Sequence, residues 1–508
     1  MIIKKTGLGD RSISAVFWGI GGTVLLIVLQ FSSQITFARL LGPEEFGLFA
    51  VGAIVVSFSN FFADIGIAYG LIQKEKIEEE DVRFVFFWQL VLGIVTSVFV
   101  SALASPIANF LGDGRSVDVV RWLSIVCLLN ALAAPSLNIL KRNLDFKHIK
   151  IAQVSSYVGG YLIVGIPLAV LGFKVWALVI AWLAQALLMT LFLFWGVRHS
   201  LRPLIWHPGS KDMSQYGLKV LATNLTNWMI NNIDRVIVGR FFSTHEMGLY
   251  ATPYNMLFNP TNALIGVIQQ VFFTSTARVA DKAQKIEMAY RSLVGSVCLF
   301  ILPVFLSVSI ISNTFVLSLY GYQWEGSAAI LRPLSLVMPL FIVWGLSTPM
   351  LWTGGHAGRE FKSQLPLAII WMVVAWLASQ ISLTAVAWAT FLLFALRCFV
   401  IVREVTRLLS YDLNLLWHAC RGGLFVSLIV SCVVGLSDAL FRMYFALPIV
   451  WLLLDMIVAI TVLMACLAFI PLIWSADVYA LFSRLCERMP SGAYFYIKPF
   501  LTKIVRVE

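Results

Sequence analysis

Charge is what this sequence lacks most. Only 12% of its 508 residues are Asp, Glu, Lys or Arg, where a soluble chain carries roughly a quarter. That shortage excludes an ordinary water-soluble domain. Seven cysteines are present (Cys127, Cys298, Cys398, Cys420, Cys432, Cys466 and Cys486), none in a Cys-x-x-Cys pair, so neither a disulfide framework nor a zinc site is expected. The six histidines (His148, His199, His207, His245, His356 and His418) form no metal-spaced cluster. The phosphate-cradling pattern Gly-x-x-x-x-Gly-Lys-Ser/Thr is missing, which argues against ATP-driven work within this chain. No cofactor is expected, and no enzymatic centre stands out.

What is there is apolar and segmented. Hydrophobic residues make up 60% of the chain, and its mean hydropathy is +0.87. Stretches of about 20 apolar residues, each able to cross ~30 Å of hydrocarbon as a helix, recur throughout. They predict an all-α integral membrane protein of about fourteen spans, near 12–38, 46–70, 83–104, 117–138, 150–171, 174–196, 214–240, 246–274, 290–312, 326–352, 364–380, 383–402, 421–441 and 447–474. Barrel strands would appear as ~10-residue alternating segments, not as runs of this length. The first span is too long for the apolar core of a signal peptide and has no convincing cleavage site after it, so it is expected to stay in the membrane.

Basic residues give the orientation, because short cytoplasmic connections collect Lys and Arg. With both ends placed inside, 29 of the 37 basic residues fall on the cytoplasmic side and 8 on the other. The net charge of +11 then reads as a topology signal, with a contribution from anionic lipid and no nucleic-acid partner. The longer hydrophilic pieces all lie inside, and no outside loop exceeds roughly a dozen residues, leaving no room for a soluble catalytic domain.

An internal repeat is the next signal. Residues 38–50 read ARLLGPEEFGLFA and residues 239–251 read GRFFSTHEMGLYA. At an offset of 201 the pairs Arg39/Arg240, Glu45/Glu246, Gly47/Gly248, Leu48/Leu249 and Ala50/Ala251 are identical. Each copy joins the first and second spans of a set of six. Six is even, so the two halves have the same orientation, as in parallel-repeat transporters. The expected organisation is a six-helix lobe at 1–205, a second at 206–410, a central cavity between them, and an accessory pair, spans 13 and 14, with a cytoplasmic tail at 411–508.

Polar residues inside spans show which faces line that cavity, since in lipid they seek partners or water. Asn224, Asn227, Asn231 and Arg235 are spaced by 3, 4 and 4 on the seventh span and share one face. Asp234 borders that face. The eighth span carries Asn255, Asn259, Asn262, Gln269 and Gln270, with Pro260 able to free backbone groups. The first span offers Thr23, Gln30, Ser33 and Gln34; the second offers Ser57, Asn60 and Asp64. Interhelical amide bonds worth ~0.6 kcal/mol each explain any one of these residues equally well. Four stripes at equivalent places in a repeat favour a cavity. Arg235 and the rim residue Arg39 offer planar donor forks for phosphate oxygens, while Asp64 or Asp234 could bind a coupling cation or proton. Arg39, Arg240, Arg332 and Asp455 are also explained by snorkelling to the interface, and Lys141, Arg142, Lys147 and Lys150 by the positive-inside bias.

ARLLGPEEFGLFA after the first span and NNIDRVIVGRFFSTHEMGLYA across the end of the seventh resemble the Wzx-type polysaccharide flippases of the multidrug/oligosaccharidyl-lipid/polysaccharide exporter superfamily. Ala38, Arg39, Leu41, Gly42, Phe46 and Gly47 carry the motif. The second copy is looser, with Ser243 where the first has Gly42. The resemblance covers nearly the whole chain. It implies a bacterial inner-membrane protein that turns undecaprenyl-diphosphate-linked oligosaccharide from the cytoplasmic to the periplasmic leaflet by alternating access, for lipopolysaccharide or exopolysaccharide biosynthesis. It further implies a cationic hydrophilic lumen, a groove for the lipid tail at spans 13 and 14, drive from an H+ or Na+ gradient or from product consumption, and partnership with polysaccharide polymerase and glycosyltransferases. The alternative is an ion-coupled multidrug or small-metabolite exporter of the same superfamily. A polymerase or ligase would need outer loops that are not there. A major-facilitator carrier would show a Gly-Asp-Arg-Gly-Arg pattern where this chain reads QKEKIEEEDVR.

Overall fold

The computed structural model describes residues 8–64, 66–74, 76–206, 210–276, 283–353, 357–409, 411–470 and 473–487. Among them the regular structure is all helical, as a lipid-embedded chain requires when every backbone group must be satisfied internally. His207, His356 and Cys486 lie outside the described side chains, as does Gln270.

Sixteen helices carry the architecture: α1 (Leu8–Leu40), α2 (Pro43–Ala63), α3 (Glu79–Ala102), α4 (Ala104–Phe110), α5 (Val117–Arg142), α6 (Phe146–Tyr157), α7 (Val175–Gly196), α8 (Ser210–Phe241), α9 (Thr244–Thr276), α10 (Ala283–Ser296), α11 (Ser327–Thr353), α12 (Ala357–Ser379), α13 (Leu383–Leu409), α14 (Leu413–Tyr444), α15 (Pro448–Phe469) and α16 (Ala476–Glu487). α6 continues through a π-helical stretch, Val158–Gly165, to Val170, and α10 continues through Val297–Ile301 to Ile310. Eleven helical segments are long and apolar enough to cross a membrane. Three of the expected spans fall short. The segment Ser363–Ser379 within α12 is apolar but brief. α8 and α9 have the length, at 32 and 33 residues, yet they are the helices on which the Asn and Gln stripes sit, and those stripes dilute their hydropathy.

Helix ends follow local chemistry. α2 opens on Pro43 with Glu44 and Glu45 in its first turn, a fixed φ followed by two charges that suit the helix dipole. It ends earlier than the apolar run suggests. Asp64 is its C-cap, and Gly66 then takes φ 76°, a left-handed turn that glycine reaches without Cβ strain. The expected second span, 46–70, is thus a helix to Ala63 followed by a short turn of helix, and Asp64 stands at a helix end. α3 starts with a capping box in which Glu78 and Asp81 satisfy each other's backbone donors, and Lys74 pairs with Asp81 at 2.7 Å.

The chain forms two compact units. One comprises 1–263 with 368–383, the other 264–367 with 384–508. These do not coincide with the repeat halves at 1–205 and 206–410: α8 and the first part of α9, the start of the second half, pack with the first half. In the first unit Leu48, Val56, Leu123, Val126 and Val179 join α2, α5 and α7 in one core, while Phe37, Leu41, Ala177 and Leu178 join α1 to α7. In the second unit Val430, Val434, Leu452 and Leu467 of α14 and α15 pack with Leu299 and with Trp474.

The two repeat copies meet within the first unit. Gly47 is the fifth residue of α2 and Gly248 the fifth of α9. A Cβ on Gly47 would overlap the carbonyl of Thr244, and a Cβ on Gly248 would overlap the carbonyl of Pro43. Thr244 is Pro43 shifted by 201, so the crossing is symmetric in the repeat. Around it Arg115 bridges Asp113 and Glu44 at 2.7 Å each, and the Thr244 hydroxyl donates to Asp113. Burial pushes the Asp113 carboxyl up, but hydrogen bonds from the Arg115 side chain, the Thr244 hydroxyl and the Arg115 backbone outweigh it and hold the pKa at about 2. A depressed carboxyl stabilises above its unfolded value near 4 and loses that contribution only as pH falls toward 2, so this clasp stays charged at neutral pH. Arg115 is 59% exposed, and exposed ion pairs contribute ~1 kcal/mol or less. The backbone crossing is the stronger constraint.

Gly47→Ala and Gly248→Ala should each force the helix N-termini apart and cost about 1–3 kcal/mol, the usual range for an overpacked contact. Gly21→Ala serves as the control, because nothing lies within 4 Å of its Cβ position. Thermal unfolding in detergent should show lower midpoints for the first two only; an unchanged midpoint for Gly248→Ala would remove the crossing as a structural determinant.

Candidate functional site

Three adjoining polar chambers lie within the first unit. The largest, about 570 Å³, is bounded by α2, α7, α8 and α9 and lined by Asn224, Asn227, Asn231, Asn232, Arg235, Asn255 and Asn259. A second, about 390 Å³, lies between α2, α5, α7 and α8 and shares Ser57, Phe61 and Asn224 with the first. Its polar lining adds Asn60, Asp64, Asn130, Asn138 and Lys141. The third, about 210 Å³, lies between α1, α2, α6, α7 and α9 and shares Asn255 and Asn259 with the first. It holds Gln30, Ser33, Gln34, Tyr157, Tyr161, Gln185 and Thr252.

Helical spacing explains why these side chains converge. On α8 the residues at 224, 227, 231 and 235 share a face. Arg235 sits at its far end, with its guanidinium 4.3 Å from the centre of the Tyr254 ring and Nη2 donating to the Asn231 carbonyl at 2.9 Å. It forms no ion pair, and its buried Nε has no hydrogen-bond partner. A guanidinium with unspent donors in a water-filled chamber can take a bidentate oxyanion. Trp228 Nε1 donates to Ser57 Oγ at 3.0 Å, closing the seam between α8 and α2. Gln34 Nε2 donates to the Thr252 carbonyl at 3.0 Å, joining α1 to α9.

In the second chamber Gln89 Nε2 donates to Asp64 Oδ1 at 2.6 Å, and Asn130 Nδ2 donates to Asn60 Oδ1 at 3.3 Å. Lys141 lines the same chamber as Asp64, so one carboxylate and one ammonium share it. In the third chamber Tyr157 and Tyr161 stack with centroids 4.8 Å apart, and Ser33 and Tyr157 share a hydrogen bond. Amides beside aromatic faces form an uncharged, hydrogen-bonding surface.

Of the residues singled out from sequence, Asn224, Asn227, Asn231, Arg235, Asn255, Asn259, Gln30, Gln34, Asn60 and Asp64 line these connected chambers. Three do not. Asn262 is exposed on α9 and Arg39 is exposed at the end of α1. Asp234 is buried at 2% exposure and accepts a hydrogen bond from Tyr250 at 2.9 Å, which ties α8 to α9 away from the chamber linings. Sequence reasoning missed Asn130, Asn138, Gln185 and the tyrosine pair. Tyr157 and Tyr161 are spaced by four, a usable signal, but a lone Gln185 in an apolar helix gives none.

A family model described as polysaccharide biosynthesis protein matches residues 36–329. The lipopolysaccharide biosynthesis protein WzxC of Escherichia coli K12 is 23% identical over 65% of this chain and 67% of its own length. The succinoglycan biosynthesis transport protein ExoT of Rhizobium meliloti is 21% identical over 74% and 79%, and the teichuronic acid biosynthesis protein TuaB of Bacillus subtilis is 22% identical over 74% and 78%. Among solved structures, the lipid II flippase MurJ in an inward closed conformation superposes with a TM-score of 0.72 at 12% identity, covering 89% of this chain and 98% of that one. An inward-facing multidrug resistance MATE transporter gives 0.53 at 15% identity, covering 78% and 98%. These likenesses show the fold. The chain belongs to the polysaccharide biosynthesis protein family and is a multi-span membrane protein.

Cysteines at 224, 231 and 259 should react with a small charged maleimide in membranes, and a cysteine at 234 should not. Protection of all three chamber positions from both faces of the membrane would sink the aqueous reading of the site.

Proposed function

We propose that this member of the polysaccharide biosynthesis protein family turns undecaprenyl-diphosphate-linked oligosaccharide across the bacterial inner membrane, for assembly of a surface or secreted polysaccharide. The observation that carries the reading is the unpaired Arg235 guanidinium in an otherwise amide-lined chamber. A sugar diphosphate lipid has one anionic group and many hydroxyls, and the site offers one fork of cationic donors and rows of Asn and Gln. The same chemistry makes no covalent bond, so the chain acts as a carrier and not as an enzyme. Relatives named for lipopolysaccharide, succinoglycan and teichuronic acid biosynthesis support the substrate class, and the MurJ-like fold supports movement of a lipid-linked precursor.

In the orientation that the basic residues favour, with both ends cytoplasmic, the Gly47–Gly248 crossing lies at the periplasmic end. The second chamber, with Asp64 and Lys141, lies toward the cytoplasm. Alternating access then consists of parting the two repeat halves, 1–205 and 206–410, at the crossing, with 411–508 as accessory helices and tail. Asp64 is the candidate coupling carboxylate for H+ or Na+. Asp234, held by Tyr250, serves as a structural tie. A polymerase and glycosyltransferases on either side of this step would supply and consume the lipid-linked unit. A drug-exporter reading has no specific observation in its favour, because the chambers are lined mainly by amides.

Arg235→Ala should reduce surface polysaccharide made by a flippase-null strain at least tenfold with membrane levels unchanged, and Arg235→Lys should restore only part of it, since an ammonium lacks the planar fork. Wild-type polysaccharide output from Arg235→Ala would overturn the reading. Asp64→Asn should flatten the dependence of proteoliposome transport on pH and sodium. Retention of both dependences would release Asp64 from coupling.

A further inference from the structure

We propose that an apolar groove on the first unit, bounded by α2, α3, α4 and α8, seats the polyisoprenoid tail of the molecule whose charged head enters the Arg235 chamber; this rests on the lipid-linked substrate proposed above. The groove has a volume of about 730 Å³, within the ~300–1,000 Å³ of ordinary ligand sites. Its walls are aromatic and aliphatic, chiefly Phe58, Phe62, Phe99, Phe110, Trp228 and Ile107. Of sixteen lining residues only Ser59 and Thr96 have hydroxyls, and both are buried, at 5% and 7% exposure.

Continuity with the polar site identifies the occupant. Trp228 and Ile54 line both the groove and the Arg235 chamber. The indole turns its N–H to Ser57 on the wet side and sets its ring 4.9 Å from that of Phe58 on the dry side. α8 divides its faces in the same way: Asn231 and Arg235 line the chamber, whereas Trp228 and Val236 line the groove. An amphiphile with an anionic head and one long tail can therefore lie across the α2–α8 seam with each part in its own medium. From Val95 to Leu103 the groove follows α3 for about 12 Å at 1.5 Å per residue, which accommodates part of a long tail and leaves the remainder in lipid. Ring faces suit the methyl branches and double bonds of an isoprenoid. The open side is set for lipid, with Val95 57% and Phe99 62% exposed.

The test uses the full-length protein in lipid nanodiscs. A diazirine-tailed undecaprenyl diphosphate should label peptides from α2, α3, α4 and α8, and unlabelled undecaprenyl diphosphate should compete. A diazirine-tailed phosphatidylglycerol should not give the same competed pattern. Val95→Trp, which adds bulk at a lipid-facing position, should weaken binding of undecaprenyl diphosphate about tenfold and leave binding of inorganic pyrophosphate unchanged, whereas Arg235→Ala should weaken both. Competed labelling confined to α14 and α15, or equal labelling by phosphatidylglycerol without competition, would overturn the groove and leave the flippase reading standing. Absence of specific undecaprenyl diphosphate binding by the wild-type protein would overturn both.

Discussion

The close crossing of α2 and α9 at Gly47 and Gly248 is the constraint on which the arrangement of the first unit depends. Both glycines lie one turn into their helices, and each accepts the carbonyl that opens the other helix. Any side chain there would hold the two N-termini apart. Because the helices touch at this point, they diverge away from it. The space between them becomes the amide-lined chamber, with Ser57 and Asn60 of α2 and Asn255 and Asn259 of α9 along its length. The Arg115–Asp113–Glu44 cluster braces the crossing from the surface, where solvent screening limits what it adds.

From this geometry follows a division of media within a few ångströms. On one side of the α2–α8 seam the chain spends amides and one guanidinium; on the other it presents almost nothing but rings and aliphatic groups. In hydrocarbon a buried polar group without a partner is costly, so an amphipathic wall of this kind is stable only if its polar face meets water or a polar cargo. Trp228 suits the boundary because its indole has an apolar body and a single donor. The hydrogen bond to Ser57 fixes the ring and leaves the neighbouring Asn231 and Arg235 to the chamber. Buried ties such as Tyr250 to Asp234 hold the walls without occupying the lumen.

The chambers also differ from one another in chemistry. The α8–α9 chamber is cationic through Arg235, the α2–α5 chamber carries Asp64 with Lys141, and the α1–α6 chamber is neutral, with stacked tyrosines among glutamines. A cargo with a diphosphate and several sugars meets a matching surface for each part, and none of these surfaces holds it by many charges at once. Weak, distributed recognition suits a carrier that must release what it binds.

The membrane class, the helical content and the polar faces of α1, α2, α8 and α9 were determined by the sequence itself, because hydropathy and a 3.6-residue period are local properties. The repeat was legible for the same reason, being a matter of identity at a fixed offset. What the tertiary structure decided were relations between distant segments: that Gly47 and Gly248 face each other across 201 residues, that Asp234 turns to Tyr250 while Arg235 turns to the lumen, and that Asn262 faces away from Asn259. Adjacent residues on a helix diverge by 100°, so a border residue such as Asp234 can fall on either side of a stripe, and only packing resolves it. The extra walls supplied by Asn130, Gln185 and the tyrosine pair, and the apolar groove behind Trp228, likewise emerge only when helices far apart in sequence are brought side by side.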